Sequence, residues 1–354
     1  MPPFKLFFTG DYLDERGGVR SGDIGLDILA QSGYVQVGFF EDQRPQAGDS
    51  TYWRRLYSLE VTAEHVAGAN GIVIFRPWVK ASAFAHGAEE LVVLARAGAG
   101  YDKIDTEACT ANHVVVFNAP DTLTHSTASA ALTLLLALAK KLPQQQELVR
   151  TGRWDRQSYY FGDDLPGKTL GIIGLGRTGS ELARLAAPFH MQVLAYSPSA
   201  DPLQAGLLGV KLVELEELLR ASDFVSLHCR LEKRTRRMLG AEQLRLLKRT
   251  AYLINVARGE LIDESALVRA LGERWFAGAA LDVFEEEPLP LTNPLLQLDN
   301  VILIVRNVLE VAQGRLPENV VNPEVLGHPQ FHAKLARFAS NQRPTSVAVP
   351  RGQE

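Results

Sequence analysis

Short runs of apolar residues alternate along the chain with more polar, helix-like segments. In the first third, these runs predict strands at residues 4–8, 71–75, 91–95 and 114–117. Continuous apolar runs of this length are typical of parallel strands that are buried on both faces. Strands that alternate with helices predict an α/β domain with a parallel sheet, which we place at residues 1–118.

A second series of apolar runs begins at Thr169 and has the pattern of a doubly wound sheet. It predicts strands at 169–173, 192–196, 224–227, 252–255, 278–281 and 301–304, and helices at 241–247 and 264–271. Between the two series, residues 126–142 predict a long apolar helix ended by Pro143, and 151–168 predict an irregular connection. The second domain is expected at 119–313, a return to the first at about 314–338, and a loose tail at 339–354.

Composition narrows the class of protein. The 354 residues carry a formal charge of −4, which gives no global electrostatic reason to bind nucleic acid. Two cysteines, Cys109 and Cys229, do not make a disulfide framework, and no Cys/His cluster has metal-site spacing. No apolar stretch approaches the roughly 20 residues that span a bilayer. We therefore expect a soluble, cytoplasmic protein with no metal, nucleic-acid or membrane partner.

A glycine-rich segment follows the first strand of the second series. It reads Gly174-Leu175-Gly176-Arg177-Thr178-Gly179 and opens a helix predicted at 180–189. In a G-x-G-x-x-G the first glycine permits the tight turn, the second lets a pyrophosphate approach the backbone, and the third lets helix and strand pack closely. The helix N-terminus then stabilises the phosphates. This context predicts a dinucleotide site.

The position that usually separates NAD from NADP is not acidic. An aspartate or glutamate is expected at the end of the next strand, about 20 residues on, to bind the ribose hydroxyls. Ser197 occupies that position, and no arginine follows it in Ser199-Ala200-Asp201. Cofactor choice therefore stays open between NAD and NADP, with a slight preference for NAD.

Two further strand ends carry charged residues. The segment Asn255–Asp263 contains Arg258, and the segment Ala279–Pro288 contains Asp282 and Glu287. Ligands of doubly wound sheets bind outside the carboxyl ends of the strands. An arginine there could bind an anionic substrate, because its planar fork matches a carboxylate.

Together these segments closely resemble the D-isomer-specific 2-hydroxyacid dehydrogenase family. The matching motifs are the glycine turn, the A-R-G segment, the A-L-D-V-F-x-x-E-P segment and the segment Arg96–Asp102, within a similarity that runs from about Gly71 to Asn300. The resemblance implies two Rossmann-like doubly wound domains with a cleft between them. It also implies NAD(P)-dependent interconversion of a small 2-oxo acid and a D-2-hydroxy acid, in a homodimer.

The resemblance also implies roles for single residues. Arg258 matches the arginine that binds the substrate, and Glu287 matches the carboxylate that partners a catalytic histidine. Substrate contacts are implied for the turn Gly98-Ala99-Gly100, and Arg76 is a further candidate. The implied cofactor-binding residues, besides the glycine segment and Ser197, are His228, Cys229, Val256, Ala257 and Asp282.

The chain departs from the family where the catalytic histidine belongs. After the strand at 301–304 it continues Val305-Arg306-Asn307, and arginine cannot give up a proton at accessible pH. Either Arg306 replaces the histidine or the whole segment that carries it is missing, and we favour the second interpretation. His125, at a helix start, is a less favoured substitute. Two functions stay open: a D-2-hydroxyacid dehydrogenase, or a catalytically inactive NAD(P)-binding sensor or partner-binding protein.

Overall fold

The computed structural model describes residues 2–20, 24–120 and 123–304. These residues divide into two compact units, the first ending at Ala119 and the second beginning at Pro120. The segments predicted at 314–338 and 339–354, together with Arg306, lie outside the described residues. The two units are α/β folds built on parallel sheets, as expected.

The first unit contains a five-stranded parallel sheet in the order β2-β1-β3-β4-β5. Its strands are β1 (Phe4–Phe8), β2 (Val35–Phe39), β3 (Gly71–Ile74), β4 (Val93–Arg96) and β5 (Val115–Asn118). Its helices are α1 (Leu26–Gln31), α2 (Tyr52–Arg55), α3 (Ala63–Ala67) and α4 (Thr106–Ala111). The chain order reverses between β1 and β3, which makes their carboxyl ends a switch point of the kind where ligands bind.

The second unit contains a seven-stranded parallel sheet in the order β12-β11-β10-β9-β6-β7-β8. Its strands are β6 (Thr169–Ile173), β7 (Gln192–Tyr196), β8 (Val210–Leu212), β9 (Phe224–Leu227), β10 (Tyr252–Asn255), β11 (Gly278–Leu281) and β12 (Val301–Leu303). Its helices are α5 (Thr124–Ala139), α6 (Leu142–Thr151), α7 (Arg177–Ala186), α8 (Pro202–Leu207), α9 (Leu215–Ala221), α10 (Ala241–Leu244) and α11 (Glu264–Gly272).

Burial explains the central strands of this sheet. Every residue of β6, β9, β10 and β11 is buried, as expected for largely apolar runs in a parallel sheet. Each fully buried Leu or Ile side chain stabilises the fold by about 1.5–3 kcal/mol. The apolar face of α5 packs on α7, β10 and β11, so this helix belongs to the core of the second unit.

The predicted helix at 126–142 needs correction. The structure ends α5 at Ala139, gives Lys141 a left-handed conformation (φ 53°) and begins α6 at Leu142. Pro143 therefore lies in the first turn of a second helix, where its missing N–H costs nothing, and does not end the first one. The connection predicted at 151–168 contains a 3₁₀ segment, Trp154–Tyr160.

Candidate functional site

The glycine turn of the second unit lies at the switch point of its sheet, between β6 and β9. Gly174 follows β6 with φ +97°, and a Cβ built on it would lie 2.5 Å from the backbone nitrogen of Cys229. The His228 backbone N–H donates to the Ile173 carbonyl oxygen at 2.7 Å. The residues after β9 therefore form a wall against the turn, and a side chain at position 174 would displace it.

The other two glycines of the motif have different surroundings. A Cβ on Gly179 would lie 2.2 Å from the carbonyl oxygen of Gly174, so this glycine lets α7 pack against the turn. A Cβ on Gly176 meets nothing within 4 Å, and its φ is −84°. The fold itself does not require a glycine there. The space in front of the α7 N-terminus suits an anion, because backbone N–H groups and the helix dipole point into it.

A cavity of about 480 Å³ adjoins this turn. It lies between the end of β7, where the Tyr196 carbonyl accepts a hydrogen bond from the Gly174 N–H at 2.9 Å, and the start of α9. The lining residues are Tyr196, Ser197, Pro198, Leu212, Val213, Glu214 and Glu217. Ser197 therefore lines a cavity beside the glycine turn.

His228 and Cys229 follow β9 on the other side of the turn. His228 Nε2 lies 2.8 Å from Ser226 Oγ, while the buried Nδ1 has no hydrogen-bond partner among the described residues. Burial lowers the pKa of His228 to about 3, so its ring is neutral. Burial raises the pKa of the Cys229 thiol to about 11, so it is no thiolate nucleophile. Beyond the neighbouring β10, Val256 is buried and Ala257 half-buried.

Arg258 lies in a turn that the buried Asn255 holds at both ends. The Asn255 amide donates to the Arg258 carbonyl at 2.8 Å and accepts from the Ala257 N–H at 3.1 Å. The guanidinium donates to the Ala257 carbonyl at 2.8 Å. Because Asn255 ends β10, the arginine is fixed at the carboxyl edge of the sheet.

The turn after β11 packs directly against the Arg258 turn. A Cβ on Gly259 would lie 2.0 Å from the carbonyl carbon of Phe284, and the Asp282 N–H donates to the Asn255 carbonyl at 3.0 Å. The Glu287 carboxylate accepts from the Phe284 N–H at 3.1 Å. The structure thus brings the glycine turn, His228 and the turns that carry Arg258, Asp282 and Glu287 to one edge of one sheet.

Arg76 lies at the switch point of the first unit. The Asp11 carboxylate, which is fully buried, accepts from Thr9 Oγ1 at 2.6 Å and from the Arg76 N–H at 3.0 Å. The Arg76 guanidinium lies 3.9 Å from the same carboxylate and over the Phe75 ring. Burial raises the pKa of Asp11, and its hydrogen bonds and Arg76 oppose that rise.

The predicted turn Gly98-Ala99-Gly100 lies beside Arg76 in this unit, because β3 and β4 pair through Ile74 and Arg96. Gly98 has φ 142°, and its carbonyl accepts from the Ala119 N–H at 3.1 Å. The Asn118 amide donates to the Ala99 carbonyl at 2.6 Å. The turn is therefore tied to the end of β5.

Sequence reasoning missed several of these residues. Thr9 and Asp11 directly follow an apolar strand, and this position could have marked them as candidates, whereas nothing near Ser197 in the sequence points to Glu214.

His125 lies on α5 with its side chain largely exposed, and its Nδ1 lies 2.9 Å from the Glu181 carboxylate of α7. That contact lowers the pKa of Glu181.

The described residues contain neither a metal-site cluster nor a helix of membrane-spanning length and apolarity. No group of three or more His, Cys, Asp or Glu side chains there could hold a metal ion. Among the helices in that part of the chain, none is long and apolar enough to cross a membrane.

Comparison with known proteins decides the family. Residues 132–305 match the model of the D-isomer specific 2-hydroxyacid dehydrogenase NAD-binding domain. A glyoxylate reductase of Korarchaeum cryptofilum is 41% identical over 260 residues, which are 68% of this chain and 78% of that protein. The chain belongs to the D-isomer specific 2-hydroxyacid dehydrogenase family.

Two more proteins show how similar this chain is to known enzymes. A D-3-phosphoglycerate dehydrogenase of Methanocaldococcus jannaschii is 42% identical over 278 residues, 72% of this chain but only about half (53%) of that protein. An NADPH-dependent glyoxylate/hydroxypyruvate reductase of Sinorhizobium meliloti, solved with NADP and malonate, is 29% identical with a TM-score of 0.68 and covers 88% of each chain. The second unit is therefore the family's NAD(P)-binding domain, and its residues fit the group: the space at Gly176, the cavity at Ser197 and the orphaned His228 Nδ1 all lie along one sheet edge.

Proposed function

We propose that this protein is an NAD(P)-dependent oxidoreductase that interconverts a small 2-oxo acid and the corresponding D-2-hydroxy acid. The observation that carries the proposal is the packing of the Arg258 turn against the turn of Asp282 and Glu287, at the sheet edge that also carries the glycine turn. Relatives named as glyoxylate reductases support the substrate class.

Different residues of the second unit would bind different parts of the cofactor. Gly174–Gly179 and the α7 N-terminus would bind the pyrophosphate, and Ser197 would face the adenosine ribose. His228, Cys229, Val256 and Ala257 would form the wall of the pocket, with Asp282 near the nicotinamide. The bound dinucleotide supplies or accepts the hydride.

Substrate recognition would use arginines and backbone. The Arg258 guanidinium matches a carboxylate and the neighbouring oxo group, since its donors form a planar fork. In the first unit, Arg76 and the turn Gly98-Ala99-Gly100 would bind the substrate carboxylate. Glu287 would orient and charge-balance a proton donor at the carbonyl oxygen.

The sequence does not supply the expected histidine as proton donor, and this favours a second candidate function. The chain contains no histidine between His228 and His328, whereas the family resemblance places the catalytic histidine after β12. Loss of a general acid–base group typically costs 10²–10⁴ in rate. The alternative proposal is therefore an NAD(P)-binding protein with little or no turnover, acting as a sensor or partner-binding module.

One paired measurement separates the two candidates. NADH affinity is measured by calorimetry, and NADH oxidation is followed with glyoxylate and with hydroxypyruvate. Binding with turnover that Arg258→Lys reduces supports the dehydrogenase. Binding without turnover moves the conclusion to the cofactor-binding protein, and absence of binding contradicts both.

A further inference from the structure

The strand-end carboxylate that usually sets the preference between NAD and NADP is absent from this chain. An acidic residue at the end of the second Rossmann strand normally binds the ribose hydroxyls and disfavours a 2′-phosphate. Ser197 stands at that position, at the end of β7, and a hydroxyl does not repel a phosphate. A carboxylate that took over this role would have to line the same cavity as Ser197.

The opposite wall of that cavity supplies two carboxylates. β8 pairs in parallel with β7 through Leu212 and Ala195, and the Val213 N–H donates to the Ala195 carbonyl at 2.9 Å. This pairing places the loop after β8 beside the end of β7. Glu214 and Glu217 line the cavity from that loop and the first turn of α9.

The two glutamates differ in their partners. Glu217 lies 3.0 Å from the Lys211 ammonium, which offsets its charge. Glu214 precedes α9 as its N-cap residue, and its side chain makes no capping hydrogen bond. No residue that the structure describes forms an ion pair or hydrogen bond with its carboxylate. Neither Lys nor Arg lines the cavity, so the negative charge of Glu214 is left uncompensated there.

We propose that Glu214 is the cofactor-specificity residue of this protein, and that it makes the cavity select NAD(H) over NADP(H) in place of a carboxylate at Ser197. Its carboxylate would accept hydrogen bonds from the adenosine ribose hydroxyls. A 2′-phosphate carries nearly two negative charges at neutral pH, and it would be repelled. The inference rests on the dinucleotide site of the proposed function but not on turnover.

The first test is a binding ratio. Calorimetry with the full chain should give an affinity for NADH at least about tenfold above that for NADPH, equivalent to about 1.4 kcal/mol. Glu214→Gln should bring the two affinities to within about threefold, chiefly by improving NADPH. The matched control is Glu216→Gln, which removes the same charge from the first turn of α9 but does not line the cavity. It should keep the wild-type ratio.

A second pair of ligands isolates the phosphate. AMP and 2′,5′-ADP differ only in the 2′-phosphate, so wild type should bind AMP more tightly and Glu214→Gln should lose that preference. Ser197→Asp in the Glu214→Gln background should restore it, because a carboxylate returns to the same cavity. Raising the ionic strength should shrink the preference, since the carboxylate is exposed to solvent.

Two results would overturn the inference while leaving the dinucleotide site standing. One is wild-type protein that binds NADPH as tightly as NADH. The other is an equal change of the ratio in Glu214→Gln and Glu216→Gln. If wild type binds none of the four ligands, the inference and the proposed dinucleotide site fall together, whatever the chain does with 2-oxo acids.

Discussion

Replacing Gly176 by alanine should separate cofactor binding from folding. A Cβ at this position meets no atom within 4 Å, and the backbone at φ −84°, ψ −158° is open to alanine. Alanine at a helix N-cap costs up to about 1 kcal/mol relative to glycine. Restricting the unfolded chain returns about 0.4–1 kcal/mol. The net change in unfolding free energy should therefore stay within about 1 kcal/mol, while the methyl occupies space that a pyrophosphate needs.

Gly174→Ala is the matched contrast, because it adds the same methyl group two residues earlier in the turn. At φ +97° a left-handed conformation costs a non-glycine residue about 1–2 kcal/mol. The new methyl would also lie 2.5 Å from the Cys229 nitrogen, and overpacking of this kind costs about 1–3 kcal/mol. We expect a total loss of about 2–5 kcal/mol.

Differential scanning calorimetry measures the Tm, and isothermal titration calorimetry measures the NADH affinity. Gly174→Ala should lower the Tm by about 4–20 °C, and Gly176→Ala should change it by no more than about 4 °C, at 2–4 °C per kcal/mol for a unit of this size. Gly176→Ala should weaken NADH binding at least tenfold, about 1.4 kcal/mol. Unchanged NADH affinity in Gly176→Ala, or equal Tm losses in both variants, would refute this account of the glycine turn.

Two further predictions concern buried titratable groups. Asp11→Asn should raise the KM for a 2-oxo acid by about three- to tenfold, because the Asp11 carboxylate positions Arg76. It should not lower stability at pH 7, because it removes a buried charge whose burial is unfavourable. An unchanged KM in steady-state kinetics would contradict that role. His228 has a pKa of about 3 when folded and an ordinary value of 6.5, so stability is fully present above pH 6.5 and falls as the pH drops toward 3. In urea titrations wild type should lose up to about 1.4 kcal/mol of unfolding free energy per pH unit below 6.5, and His228→Gln should not show this loss. Parallel curves for the two proteins would contradict a half-buried, neutral ring.

Burial on both faces accompanies four of the strands that sequence analysis predicted, because every residue of β6, β9, β10 and β11 is buried. β6, β7, β9, β10 and β11 begin and end where the apolar runs do. The missed strands, β2 and β8, lie at the edges of their sheets, where Gln36 and Lys211 face solvent and interrupt the apolar pattern. Edge position alone does not hide a strand, because β5 and β12 are also edge strands and their apolar runs were predicted.

The site shows the same division between local and distant information. The glycine turn is legible because its three glycines serve one continuous backbone segment. Glu214 could not be predicted from the sequence, because only the pairing of β8 with β7 places it opposite Ser197. The end of α5 was misplaced for a local reason: a proline fits the first turn of a new helix as well as it ends an old one.

The wall that backs the glycine turn has a consequence for the order of events during synthesis. The turn follows β6 at Gly174, but the residues that support it, His228 and Cys229, are translated about 50 residues later. At about 5–20 residues per second the ribosome needs roughly three to ten seconds to deliver them. Until they are made, the turn lacks the backbone against which it packs in the folded domain. A bound dinucleotide stabilises the finished domain by about 2.7 kcal/mol at a hundred times the Kd.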